Sequence, residues 1–227
     1  MDSITQFDGN LLIGIQQSLN ADWLTPIMKV ITLFGEDGLF WIFLCLLMLL
    51  FRKTRRLGII CASSLLLTFI CCNLVIKPAV DRIRPWVTFQ LVNAMLPPPG
   101  DASFPSGHSA NSMGPAWAMF IASMPVKTPA GRSYEDVRCL GWKGEGISPR
   151  PVHRLSIVLV ILAVFIGVSR LYLGMHYPTD VLCGLLLGMV TAVIAYKIIL
   201  TIEDRRGPLG GLPAKPAEVK DEKDNRK

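Results

Sequence analysis

The sequence predicts an all-α membrane protein: a polytopic bundle of five transmembrane helices, preceded by an N-terminal interfacial helix or a broken sixth helix. Three observations lead there. Of 227 residues, 51% are hydrophobic and only 18% charged, and mean hydropathy is +0.44. The apolar residues come in uninterrupted blocks instead of one amphipathic stripe per element. Several blocks approach the roughly 20 residues a helix needs to cross the hydrocarbon core. The alternating pattern of a barrel is absent, so helices must satisfy the backbone in lipid.

Taken in order, residues 1–35 form the ambiguous part. No basic cluster precedes the first apolar residues and no small-residue cleavage site follows, which argues against a secretory signal. Leu11, Leu12, Ile15 and Leu19 share one helical face, with Gln16, Gln17 and Asn20 opposite, the pattern of a helix lying in the interface. Pro26 suits the first turn of a short helix from Ile27 to Phe34, which Gly35 would end. The two pieces read either as interfacial helices or as one broken span. The membrane domain, residues 36–200, carries the blocks Gly38 to Phe51, Leu57 to Ile76, about Ser109 to Met124, Leu155 to Val168 and Val181 to Tyr196. The second contains no charge, whereas the first and fourth are short and must borrow flanking residues. The connection 125–153 is long and rich in loop chemistry, although Tyr134, Cys139 and Trp142 would allow it to fold locally. Residues 201–227 are charged and rich in Pro and Gly, as expected of a disordered tail.

Charge orients the bundle. The loop "RKTRR" (Arg52 to Arg56), the 125–153 connection and the tail fall on one side by alternation of the spans. All but five of the 23 Lys and Arg residues lie on that side, the exceptions being Lys29, Lys77, Arg82, Arg84 and Arg170. The asymmetry makes that side cytoplasmic. The net charge of +6 therefore reflects topology and a basic tail, which excludes nucleic acid as a partner and leaves the lipid bilayer as the surrounding one. Five of six cysteines lie within spans, so disulfides are not expected, and no Cys/His spacing suits a zinc site. No metal and no cofactor is implied.

The exceptions to the charge rule are informative, because ionisable groups at a membrane rim are costly to desolvate. Lys77, Arg82 and Arg84 follow the second span in "KPAVDRIRP", and Arg170 ends the fourth. "PSGH" (Pro105 to His108) opens the third span, while His176 and Asp180 open the fifth. Alternation brings all three stretches to one extracytoplasmic rim. Fixed cations around a helix N-terminus make an anion site, where Ser106 and Gly107 offer backbone N–H groups, and the arginine fork matches phosphate oxygens. His176 precedes Asp180 by four residues, so the carboxylate can hold one imidazole nitrogen and leave the other as nucleophile. His108 comes from another helix start and can protonate a leaving oxygen. Such a set supports phosphoryl transfer without a metal.

At these residues the sequence resembles the type 2 phosphatidic acid phosphatases, membrane lipid phosphatases whose motifs read K-x6-RP, PSGH and SR-x5-H-x3-D. They stand here as Lys77 to Pro85, Pro105 to His108 and Ser169 to Asp180, in the family's order and without a departure. The resemblance implies that His176 becomes a phosphohistidine supported by Asp180, and that His108 serves as acid and then base. It assigns the phosphate to Lys77, Arg84 and Arg170 with Ser106 and Gly107; Arg82 is a further candidate, being frequent in lipid-acting members. Three functions follow for weighing: a hydrolase of lipid phosphates or diphosphates, a phosphotransferase using the same intermediate, and a non-enzymatic scaffold or transporter. The intact motifs argue against the last. An outward site suits undecaprenyl diphosphate, phosphatidylglycerol phosphate, phosphatidate or lipid A as the lipid phosphate substrate, and the motifs themselves contact only phosphate.

Overall fold

A computed structural model describes residues 3–97, 99–124, 126–128, 131–133 and 149–206. The proposed disordered tail beyond residue 206, and Tyr134, Cys139 and Trp142 of the long connection, lie outside the described residues. The body is helical. Helix α1 (Ser3–Leu19) is followed by α2 (Leu24–Leu33), a short 3₁₀ turn (Glu36–Gly38) and α3 (Leu39–Leu50). Helix α4 (Arg55–Phe69) continues through a π-helical stretch (Ile70–Ile76) into α5 (Lys77–Val80), and α6 (Pro85–Thr88) comes next. Helices α7 (Gly107–Ser123), α8 (Pro149–Tyr172) and α9 (Pro178–Arg206) complete the order. Between α7 and α8, strands β1 (Val126–Thr128) and β2 (Gly131–Ser133) pair antiparallel with Val126 opposite Ser133.

Among the described residues, four stretches are long and apolar enough to cross a membrane: Leu24–Leu50, Arg55–Thr88, Arg150–Tyr172 and Pro178–Glu203. The predicted third span is α7, whose 17 residues reach only about 26 Å at 1.5 Å per residue. It is largely buried at the centre of the bundle, packed against α4, α8 and α9. Small residues make that possible. A Cβ on Gly188 would stand 2.7 Å from the Ala110 carbonyl, and one on Gly184 would stand 2.6 Å from that of Ser106. Helices α7 and α9 thus meet backbone to backbone. The first span borrows α2, across a break where Asp37 and Gly38 take positive φ. A broken helix exists, therefore, but it joins residues 24–33 to 39–50 and leaves α1 out.

Helix α1 packs on the bundle by a largely polar side. Its buried face is Asp8, Gly9, Leu12 and Gln16, whereas Leu11 and Leu19 are exposed. Buried polar groups need partners, and they have them. Gln16 donates to the carbonyls of Asn93 (2.9 Å) and Tyr172 (3.0 Å) and accepts from the Asn93 N–H. At the far end, Arg56 and Glu203 form a buried two-pronged ion pair at 2.6 and 2.7 Å, tying α4 to α9.

Candidate active site

The π-helical stretch ends one residue before Lys77 and Pro78. Proline has no N–H for the carbonyl four residues back, so the ladder widens ahead of it. Asp81, with φ 45, then turns the chain and leads Arg82 and Arg84 back over the bundle. Gly174, with φ 71, makes the equivalent bend between α8 and α9; a Cβ there would lie 2.3 Å from the Asn93 carbonyl. These turns and the start of α7 surround a cavity of about 600 Å³. Lys77, Arg84, Gly107, His108, Arg170 and His176 all line it.

His176 is buried, with Nδ1 3.5 Å from Asp180 Oδ2 and Nε2 3.3 Å from an Arg84 terminal nitrogen. A guanidinium only donates, so Nε2 presents its lone pair and Nδ1 carries the proton toward the carboxylate. Burial, aided by the Arg84 charge, pushes the imidazole down to about 4 against the upward pull of Asp180. Asp180 also accepts from Ser103 Oγ (2.5 Å), Arg82 (2.5 Å) and the Tyr177 N–H (3.0 Å). The last bond is half of a capping box, since Tyr177 precedes the helix and Asp180 is its third residue. The carboxylate thus caps α9 and faces His176 at once.

The cations divide. Arg170 gives one N–H to Thr32 Oγ1 at 2.9 Å, while its buried Nε–H has no partner among the described residues. Lys77 and Arg84 both bind the carboxylate of Asp101, and Arg84 also donates to the carbonyls of Asp101 (3.0 Å) and Met175 (2.9 Å). Burial alone would raise the Asp101 carboxyl, but Lys77, with Arg84, outweighs it and holds the group below the usual carboxylate range. His108 Nε2 lies 3.2 Å from Glu36 Oε2. A carboxylate only accepts, so that nitrogen donates its N–H to Glu36.

Two expectations change here. Arg82 does not line the cavity: it binds Asp8 (2.8 Å), Thr179 (2.8 Å) and Asp180, and lies 4.0 Å over the Tyr177 ring. Nor does Ser106 offer its N–H to a ligand, since it donates to the Asp180 carbonyl at 3.0 Å, while Ser106 Oγ caps α7. Gly107 alone of that pair lines the cavity. Sequence spacing gave no sign of Asp8, Glu36, Asp101 or Ser103. Asn73 and Asn111 were missed too; each faces the cavity with a buried Oδ1 that lacks a partner among the described residues. Asn73 sits one helical turn before Lys77 and Asn111 three residues after His108, a local signal that could have found them.

The placement of Arg82 is testable. Arg82→Met leaves Asp8 and Asp180 buried without their shared cation, and should cost about 3–5 kcal/mol of stability. Thermal unfolding in detergent would register it, and adding Asp8→Asn should recover part of the loss. An Arg82→Met protein that unfolds like the wild type but has a raised KM would instead make Arg82 a phosphate ligand.

Among the described residues no group of three or more His, Cys, Asp or Glu could hold a metal ion. The chain is 27% identical over 175 residues to an undecaprenyl-diphosphatase from Sulfolobus acidocaldarius, covering 77% of this chain and 70% of that protein. It is 29% identical to phosphatidylglycerophosphatase B of Bacillus subtilis, covering 76% and 73%. A crystal structure of a transmembrane PAP2 type phosphatidylglycerolphosphate phosphatase from Bacillus subtilis superposes with a TM-score of 0.65 at 25% identity, covering 89% of each chain. The profile of the PAP2 superfamily matches residues 56–204, a stretch that holds all three motifs and runs from α4 into α9; the chain belongs to this superfamily of membrane lipid phosphatases.

Proposed function

We propose that the chain hydrolyses a lipid phosphate or diphosphate at the extracytoplasmic face of the cell membrane, through a phosphohistidine on His176. One observation carries the reading: His176 Nε2 stands 3.3 Å from Arg84, one of the cations that would hold the phosphate, while its Nδ1 is turned to Asp180. In the first step the Nε2 lone pair forms a bond to phosphorus, the bond from phosphorus to the lipid oxygen breaks, and His108, entering as the imidazolium, gives that oxygen a proton and is left neutral. In the second, His108 takes a proton from water, whose oxygen displaces Nε2 and releases orthophosphate. Lys77, Arg84 and Arg170 balance the charge on the phosphoryl oxygens throughout.

A lipid tail has a place as well. An apolar groove of about 330 Å³ runs between α3 and α4, lined by Ile42, Leu46, Leu49, Leu65, Leu66 and Phe69. Asp37, Gly38 and Asn111 belong both to this groove and to the polar cavity. The distribution of Lys and Arg supports an outward-facing site with α7 as a fifth, protein-enclosed crossing. The relatives' names favour undecaprenyl diphosphate or phosphatidylglycerol phosphate as substrate.

The test is a phosphate-release panel across undecaprenyl diphosphate, phosphatidylglycerol phosphate, phosphatidate and lipid A, with and without EDTA. Release from at least one lipid, undiminished by chelation, is the expected result. Activity lost with EDTA and restored by magnesium would overturn the metal-free mechanism. Transfer of label to an added alcohol in place of water would favour the phosphotransferase reading.

A further inference from the structure

Asp101 is an acid in a place built for an anion. Its carboxylate meets Lys77 through one oxygen and Arg84 through the other, as two oxygens of a bound phosphate would. The residue is anchored by its backbone, because its carbonyl accepts from Arg84 Nε at 3.0 Å. The side chain is not buried in place: 50% of it is exposed, so it can leave the cations and enter water without a large desolvation cost. It lies in the stretch between α6 and α7, where Pro97, Pro99 and Gly100 also line the cavity.

A membrane surface is crowded with phosphodiester headgroups, and an uncompensated cluster of Lys77, Arg84 and Arg170 would attract them and retain released orthophosphate. We infer that Asp101 is a built-in competitor for the phosphate site, a carboxylate that occupies Lys77 and Arg84 until substrate displaces it and returns when product leaves. Ligand then binds only the fraction of molecules in which Asp101 has swung away, and apparent affinity falls by that fraction. The effect lowers affinity for every anion by a similar factor, so its use is to keep the site vacant and product release fast. The inference rests on the reading of the cavity as a phosphate site.

The contrary possibility is specific. If Asp101 instead holds the two cations in the geometry that receives phosphate, removing it weakens binding. The two roles therefore predict opposite signs. Equilibrium dialysis of radiolabelled orthophosphate against the full-length protein in detergent, with dimethyl phosphate as competitor, reads the sign without turnover. Asp101→Asn and Asp101→Ser should both bind orthophosphate and dimethyl phosphate about tenfold or more tightly than the wild type, as expected if the vacant form is a minor one. Asp101→Glu should keep wild-type affinity. In turnover assays the charge-removing variants should show a lower KM and stronger product inhibition. Unchanged or weaker binding in Asp101→Asn and Asp101→Ser, with normal unfolding temperatures, would overturn the inference alone. Absence of orthophosphate binding in wild type and variants alike would overturn the phosphate reading and this inference with it.

Discussion

Replacing His176 with alanine is expected to remove activity by several powers of ten on every substrate, and no phosphoenzyme should form. The alanine leaves the cavity cations and the apolar groove in place but deletes the atom that would bond to phosphorus. Loss of a nucleophile acting within a catalytic unit typically costs on the order of a millionfold in kcat. The residual rate should come from the fixed cations. In the intact protein Nε2 stays unprotonated through the neutral range because burial pushes the imidazole down to about 4. Its protonated form cannot attack, so phosphoenzyme formation should fail only as the pH drops through that value. Quench-flow with labelled substrate, followed by assay for acid-labile, alkali-stable protein phosphate, reads both results. A phosphoenzyme that persists in His176→Ala would move the nucleophile elsewhere.

His108→Ala should produce a different loss, one that depends on the leaving group. General acid–base catalysis contributes about 10²–10⁴-fold, and this histidine is assigned both proton transfers. An alkyl lipid phosphate needs a proton on its departing oxygen and should suffer the full effect on the first step. A phenyl phosphate with an acidic phenol needs little, so its first step should be spared while hydrolysis of the intermediate slows. The phosphohistidine should then accumulate in His108→Ala with the phenyl ester. Equal losses on both substrates, with no accumulation, would be consistent with direct attack by water and would sink the roles given to both histidines. Because His108 Nε2 meets Glu36 Oε2 at 3.2 Å, the 3₁₀ turn between α2 and α3 contacts this histidine directly.

Much of this site could be read from spacing. His176 and Asp180 are four residues apart at a helix start, Lys77 and Arg84 bracket one turn of chain, and PSGH opens a helix; short-range geometry brings out such groups before any tertiary contact is known. The blocks of apolar residues likewise located four stretches long and apolar enough to cross a membrane, because hydrocarbon imposes a length on each helix separately. Block length alone did not show how α7 is enclosed. Its 17 residues read as a span of the usual kind, but α7 is enclosed by protein on most sides, and neighbours rather than length set its place.

What the sequence by itself determined was thus the class of protein, its helical blocks, its charge asymmetry and the residues with chemistry to perform. The tertiary structure decided which of those residues face one another. Asp8 meets Thr179 across 171 positions and Arg82 across 74, so a helix that looked merely interfacial supplies a buried carboxylate beside the one that faces His176. Arg82, one of three cations in a short run, turns away from the cavity, and Ser106 spends its N–H on Asp180. Asp101, an ordinary loop acid in sequence, closes on Lys77 and Arg84. No periodicity encodes such pairings. They follow from where the turns at Asp81 and Gly174 aim the chain, and from the requirement that each buried charge find a partner once the helices have packed.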